Sequence, residues 1–108
     1  MTQAAAGQPA DIIAVRNNHA VLIDCKVCAT DRFALSRIEP NQVSAMTLWE
    51  KRGNEDAYFA IKYPNEVIYM IHFNRMISSG NVNIPEWYAH SQGFYFDEWI
   101  EMMKDEIG

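Results

Sequence analysis

Two short apolar runs near the start of the chain limit its possible folds more than any other feature. Residues 10–15 and 20–25 are rich in β-branched side chains, and the polar cluster Arg-Asn-Asn-His at residues 16–19 separates them. Runs of this length and composition are typical of strands, and a short polar connection between them is suited to a turn. The sequence therefore predicts a β-hairpin at this point.

The residues that follow predict further strands and helices. Residues 33–36 are predicted as a short extended piece, and the helical spacing of apolar side chains over residues 40–52 predicts the first helix. Residues 56–63 alternate between two faces and residues 67–73 are nearly apolar on both, so these runs predict a second hairpin. A terminal helix is predicted over residues 95–107, where large apolar side chains recur at intervals of three or four.

This order of elements predicts one α/β (α+β) domain that contains a mixed β-sheet. We assign the domain to residues 9–108, because a chain of 108 residues with 49% apolar side chains can close one core and is too short for two ordinary domains. Residues 1–8 offer little apolar surface to bury and are predicted to be disordered. Residues 74–80 are expected to form one or two helical turns, whereas residues 81–93 show no clear period and are expected to be irregular.

Composition and charge exclude several classes of protein. No stretch approaches the roughly 20 apolar residues of a spanning helix, and the N-terminus lacks the order of a secretory signal, so we expect a soluble cytoplasmic protein without membrane contact. The net charge of −5 argues against a surface designed throughout to bind phosphates. The acidity is concentrated in residues 97–108, which hold five acids and one lysine, while residues 12–37 have a local net charge of +2. A small basic face near the first hairpin is therefore compatible with the sequence.

The residues best suited to chemistry lie on the first hairpin. Asp11 falls in the first predicted strand and Asp24 near the end of the next, so the hairpin can place the two carboxylates side by side. Residues i and i+2 of a strand point to the same face, so Asp24 and Lys26 project together while Cys25 offers mainly its carbonyl oxygen. Two carboxylates and a carbonyl suit Mg²⁺ or Mn²⁺, which can neutralise charge during phosphodiester cleavage while Lys26 holds or deprotonates the attacking water.

This arrangement resembles the PD-(D/E)xK nucleases, since Pro-Ala-Asp at residues 9–11 is followed by Asp-Cys-Lys at residues 24–26. Together with Glu-Pro-Asn-Gln at residues 39–42, the pattern over residues 9–75 is similar to the RecU-type Holliday-junction resolvases and their phage relatives. The resemblance implies a restriction-endonuclease-like mixed sheet flanked by helices, and a homodimer that cuts DNA, including branched DNA, at two symmetric positions. It also implies a glutamine beside the metal site. The predicted catalytic residues are Asp11, Asp24, Lys26 and Gln42, and the predicted metal ligands are Asp11, Asp24 and Cys25.

One part of the family pattern is missing from the sequence. Members carry a helix before the first strand, with an acidic residue that completes the metal site, whereas ten residues precede Asp11 and none of them is acidic. Three explanations account for the absent acidic helix: the chain is truncated, a second subunit supplies the helix, or the site is degenerate. The third leads to an alternative function, a catalytically degenerate nuclease-fold protein that acts as an interaction or inhibitor protein through an acidic surface.

The predicted site residues also have ordinary structural explanations. Asp11 and Asp24 can be strand-end residues paired with nearby basic side chains, and Gln42 can cap a helix. The Cys25-x-x-Cys28 spacing is a weak indicator of a zinc or redox site, because there is no second cysteine pair and alternation along a strand separates the two thiols.

Two features of the C-terminal third have alternative explanations as well. The aromatic residues between positions 87 and 99 are expected to belong to the core, although base stacking or a dimer surface are alternatives. The acidic residues are expected to form a solvated helix face, with mimicry of nucleic acid or docking to a basic partner as alternatives.

Overall fold

A computed structural model of the chain describes residues 12–16, 19–52 and 57–107, with the side chains of residues 20–52 and 57–104. Within these ranges the strands are β1 Ile12–Arg16, β2 His19–Val27, β3 Arg32–Ala34, β4 Ala57–Lys62, β5 Ile68–His72, β6 Asn83–Pro85 and β7 Phe94–Tyr95. The helices are α1 Pro40–Lys51, α2 Phe73–Ile77, α3 Glu86–Gln92 and α4 Phe96–Ile107, and a short 3-10 helix covers Leu35–Arg37. No helix in the described ranges is long and apolar enough to span a membrane.

The main sheet has five strands in the order β1-β2-β4-β5-β7, and β3 and β6 form a separate two-stranded sheet. Strands β2 and β4 are parallel, because α1 carries the chain from one end of the sheet back to the other between them. All other pairs are antiparallel. The predicted α/β (α+β) class, with a mixed sheet flanked by helices, is confirmed.

Each face of the main sheet carries its own core. The face covered by α1, α2 and α3 contributes large side chains that are fully buried, among them Phe59, Ile61 and Ile71. The opposite face packs on α4, where Trp99 lies against Tyr58 with ring centroids 5.4 Å apart. Because successive residues of a strand point to opposite faces, the even-numbered residues of β2 project toward α1 and the odd-numbered ones toward α4. This alternation decides which polar residues of β2 meet the start of α1.

Both predicted hairpins, the first helix and the terminal helix are present at nearly the predicted positions. The prediction that residues 81–93 are irregular is wrong, because β6 and α3 lie there. Helix α3 has seven residues and only Ala89 is buried, so its sequence does not show the regular spacing of buried apolar side chains that predicts a helix. The expectation of a core role for the aromatic segment is correct at Trp99 and wrong at Trp87, Phe94 and Tyr95, which are 71%, 37% and 41% exposed. The predicted disorder of residues 1–8 lies outside the described residues.

The junction between α3 and β7 depends on a glycine for steric reasons. A Cβ atom on Gly93 would lie 2.7 Å from the carbonyl oxygen of Met70 and 2.9 Å from that of Ala89. These are backbone atoms of β5 and α3, so neither can move aside cheaply. The contact brings α3 close to the edge of the sheet.

We therefore expect Gly93→Ala to lower the free energy of unfolding by about 3 kcal/mol, the upper end of typical overpacking effects. Gly80→Ala is the matched control, since no described atom lies within 4 Å of a Cβ there and only its φ of +75° is unfavourable. That substitution should reduce stability by about 1 kcal/mol. Urea denaturation measures both values, and equal losses would contradict the steric explanation.

Candidate active site

Asp24 and Lys26 lie near the end of β2, and the side chains of both project toward α1. Asp24 is 2% exposed and is the most deeply buried charged side chain among the described residues. The side chain of Lys26 is 16% exposed, and its Nζ lies 3.2 Å from Asp24 Oδ2. An ionised carboxylate is strongly destabilised inside a protein unless a charge or hydrogen bonds compensate it. Lys26 provides that compensation from the same strand face.

Gln42 reaches the same carboxylate from the first turn of α1. Pro40 begins the helix, and Glu39 is its N-cap, so Gln42 is the third helical residue. Its Nε2 donates a hydrogen bond to Asp24 Oδ1 at 3.1 Å, and its Oε1 accepts one from the backbone N–H of Glu39 at 3.0 Å. Lys26 Nζ approaches the same oxygen at 3.5 Å. The Gln42 amide therefore makes two kinds of contact: its oxygen caps the helix, and its nitrogen binds the Asp24 carboxylate.

The structure brings together three of the four predicted catalytic residues, Asp24, Lys26 and Gln42. Asp11 lies outside the described residues. Its neighbour Ile12 pairs with Ile23, the residue before Asp24, in the antiparallel register of β1 and β2. The prediction for Asp11 accordingly stays a prediction that rests on its position in the sequence.

The cysteines take different environments, as strand alternation predicts. Cys25 is exposed and pairs in register with Ala60 of β4, whereas Cys28 is buried and its Sγ donates to the carbonyl oxygen of Arg32 at 3.0 Å. The two thiols do not form a disulfide. A sulfur site for zinc is therefore unsupported, and the predicted metal contact of Cys25 through its carbonyl oxygen remains untested.

Arg37 is a residue near the site that sequence reasoning did not single out. Its Nη1 donates to the carbonyl oxygen of Val27 at 2.8 Å, and its guanidinium lies 5.0 Å from the centroid of the Phe33 ring. These contacts tie the 3-10 helix before α1 to the end of β2, just after Lys26. The only sequence signal was the basic character of this stretch, because the contact to a carbonyl oxygen cannot be read from residue types.

The donor set suits a hard divalent cation in kind but is incomplete in the described ranges. Asp24 offers carboxylate oxygens, which Mg²⁺ and Mn²⁺ prefer over nitrogen and sulfur. Within the described residues, no three histidine, cysteine or acidic side chains converge on one point. Asp11 is the second acidic ligand that the sequence predicts for a metal ion at this position.

Comparison with known proteins decides the family. Residues 2–107 match the family of archaeal Holliday junction resolvases (Hjc), which is nearly the whole chain. The chain belongs to the Hjc family. Membership confirms the predicted class, a PD-(D/E)xK nuclease of the Holliday-junction resolvase type. Hjc is a different branch of these resolvases from the RecU type that the sequence resembles.

A solved structure of the family has the same fold. The Hjc of Archaeoglobus fulgidus, a Holliday junction resolvase from an archaeal hyperthermophile, superposes with a TM-score of 0.63 at 20% sequence identity. The match covers 91% of this chain and 79% of the A. fulgidus chain. At this identity the likeness concerns the fold alone. No curated protein matches the sequence.

The double role of Gln42 predicts a stability loss that is larger than that of an ordinary helix substitution. Gln42→Ala should lower the free energy of unfolding by about 2 kcal/mol, because a buried acceptor on Asp24 loses its donor and the helix loses its cap contact. Ser44→Ala is the control, since Ser44 is exposed on the same helix. It should change stability by less than about 0.5 kcal/mol. Denaturant titration of both variants measures this, and similar small effects would contradict the network.

Proposed function

We propose that the chain is a metal-dependent DNA endonuclease that hydrolyses phosphodiester bonds at Holliday junctions. The observation that carries the proposal is the buried Asp24 carboxylate, held by Lys26 and Gln42 where β2 meets the start of α1. Membership in the Hjc family supports the same activity. Stability alone does not account for this burial, since the cost of removing two charges from water can exceed the attraction between them.

Each of the three residues has a distinct role in the proposed reaction. Lys26 Nζ, fixed 3.2 Å from Asp24 Oδ2, holds the attacking water by donating a hydrogen bond to it, and only its neutral amine form would take the proton of that water. Gln42 keeps the carboxylate of Asp24 in one orientation through the 3.1 Å bond to Oδ1. Because Gln42 also caps α1, the position of the helix and the orientation of the carboxylate are set by one side chain.

Asp24 and Asp11, with the carbonyl oxygen of Cys25, are the proposed ligands of Mg²⁺ or Mn²⁺. An ion bound there would supply positive charge against the negative charge that develops on the phosphate group. Lys26 already places an ammonium against Asp24 Oδ2, which supports the view that this carboxylate is built to face a cation. The second carboxylate would strengthen binding of the ion, because Mg²⁺ is held by one or two carboxylates and completes its coordination with water and substrate phosphate.

The proposed substrate is DNA, including branched DNA, and the proposed working form is a homodimer. A four-way junction is resolved by two symmetric cuts, and a two-fold dimer presents two equivalent sites. Arg32 and Arg37 lie close along the chain to the site and are exposed, so they are suited to contact phosphates. A cytoplasmic location, and cleavage of the RecU type in a phage or mobile-element context, remain predictions from the sequence.

One observation favours the alternative, a degenerate nuclease-fold interaction or inhibitor protein. Among the described residues no three histidine, cysteine or acidic side chains converge at the site, and α4, which carries exposed acids, packs on the opposite face of the sheet. The retained Asp24, Lys26 and Gln42 network favours the enzyme. The two experiments below separate the functions, since the alternative requires neither metal binding nor cleavage.

Metal binding depends on Asp24 in our proposal. Isothermal titration with Mn²⁺ should detect binding by the unaltered chain and none by Asp24→Asn, because the amide keeps the shape of the side chain and removes its charge. Asp31→Asn is the control, since Asp31 is an exposed acid on the loop after β2. Equal binding of Mn²⁺ by all three proteins would place the metal elsewhere.

Lys26 is required for cleavage in our proposal. Lys26→Ala should reduce the rate of cleavage of a synthetic four-way junction by about 100-fold or more, the scale of losing an acid–base group. Lys51→Ala removes an exposed lysine at the far end of α1 and should leave the rate within about twofold. Circular dichroism shows whether each variant is folded. Undiminished cleavage by a folded Lys26→Ala protein would remove Lys26 from the mechanism.

A further inference from the structure

Two cavities lie at the edge of the main sheet, one on each side of Tyr95. A cavity of about 240 Å³ is lined by Tyr69, His90, Gly93, Tyr95 and Glu98. A groove of about 500 Å³ runs past Glu66, Val67, Ile68, Tyr95, Phe96 and Asp97. We call the two together the Tyr95 surface. Strand β7 is three strands away from β2 in the sheet, or about 14 Å at the usual strand spacing, so this surface is separate from the Asp24 site.

Three aromatic rings surround the smaller cavity. The centroid of Tyr95 lies 5.5 Å from those of Tyr69 and His90, and the rings of Tyr69 and His90 are 6.3 Å apart. Tyr95 is 41% exposed, so its ring is open to a ligand. Aromatic faces attract cations, and Arg and Lys side chains are the cations that proteins supply most often.

Carboxylates give the Tyr95 surface a local excess of negative charge. Glu98 Oε1 accepts a bond from the backbone N–H of Tyr95 at 3.2 Å, which fixes this carboxylate at the cavity. Lys62 and Lys104 pair with Glu66 and Glu101.

Three other carboxylates, those of Glu86, Asp97 and Glu98, have no basic side chain within 4.0 Å in the described part of the chain. Burial and the hydrogen bond to Glu86 raise the pKa of Tyr69 to about 12. Its hydroxyl therefore stays protonated at neutral pH and donates to Glu86 Oε2 at 2.9 Å. This bond holds the Glu86 carboxylate beside Tyr69, which lines the cavity.

The backbone at this edge is suited to an extended ligand. Strand β7 is two residues long and pairs with Tyr69 and Met70 of β5. The groove lies beside Ile68, the residue of β5 that precedes this pairing. A sheet edge can add a strand from another chain, with side chains of that strand entering pockets on alternate sides.

We propose that the Tyr95 surface docks an extended, basic segment of a partner protein, with a Lys or Arg side chain in the aromatic cavity. Charge complementarity selects this occupant. A polyanion such as DNA would be repelled by Glu86, Asp97 and Glu98. A second copy related by two-fold symmetry would bring the same carboxylates against each other.

The test uses the full chain without DNA or metal. The probe is a fluorescein-labelled heptapeptide, Lys-Val-Arg-Val-Lys-Val-Arg, and its control replaces every basic residue by Glu. Fluorescence anisotropy should give a dissociation constant below about 1 mM for the basic peptide and no binding of the acidic one. Absence of binding by the basic peptide, or equal binding of both, overturns the proposal.

Two isosteric variants locate the binding site. Glu98→Gln keeps an oxygen acceptor for the Tyr95 N–H and should weaken binding about fivefold, whereas Glu101→Gln, one turn along α4, should change it less than about twofold. Equal weakening by both variants would indicate general charge attraction and overturn the proposal. A dimer that sedimentation detects and that Glu98→Gln dissociates would also overturn the proposal, because the occupant of the surface would then be a second copy of the chain. Junction cleavage by Glu98→Gln should be unchanged, so this result is independent of the nuclease proposal.

Discussion

The buried carboxylate of Asp24 is the constraint on which its surroundings depend. A charge removed from water is destabilised by several kcal/mol in real proteins unless its neighbours replace the lost hydration. Lys26 supplies the charge from the same strand face, and Gln42 supplies a hydrogen bond from the start of α1. Since side chains one position apart on a helix differ by about 100° in direction, a shift of one residue in where α1 begins would remove the Gln42 contact.

The sheet order gives this network a rigid support. Strand β2 lies between β1 and β4: Leu22 and Ile23 pair on both sides, Asp24 pairs with Phe59 of β4, and the core around Phe59 fills the space beneath α1. Arg37 adds a connection from the chain before α1 to the carbonyl oxygen of Val27. The same contacts that stabilise the fold therefore hold the carboxylate, the ammonium and the amide in fixed relative positions, which is what catalysis by positioned groups requires.

The two ends of the sheet differ in charge and in surface chemistry. The Asp24 site lies near the basic residues Arg32 and Arg37, whereas β7 and the first turn of α4 present carboxylates and exposed aromatic rings. This distribution of charge favours the approach of a nucleic acid from the side of the Asp24 site and disfavours it from the side of β7. It also explains how an acidic chain, with a net charge of −5, can belong to a family of DNA-cleaving enzymes.

Most of the main sheet and the first and last helices followed from local patterns, because strand alternation and helical spacing are visible within a few residues. The pairing of β3 with β6 did not, since each strand is three residues long and its partner is distant in the sequence. The same holds for α3, which has a single buried residue, and for β7, which is two residues long and exists only because β5 lies beside it. Such elements are stabilised by contacts that a sequence window does not contain.

The sequence by itself determined that Asp24 and Lys26 share a face and that Cys25 points away, because the period of a strand is two whatever surrounds it. It also determined the start of α1, where Pro40 suits the first turn. Only the tertiary structure decided that Gln42 donates to Asp24, because that contact depends on how α1 packs across the sheet. It likewise decided that Tyr95 is exposed while Trp99 is buried, since aromatic residues enter a core only where a neighbouring element leaves room for them.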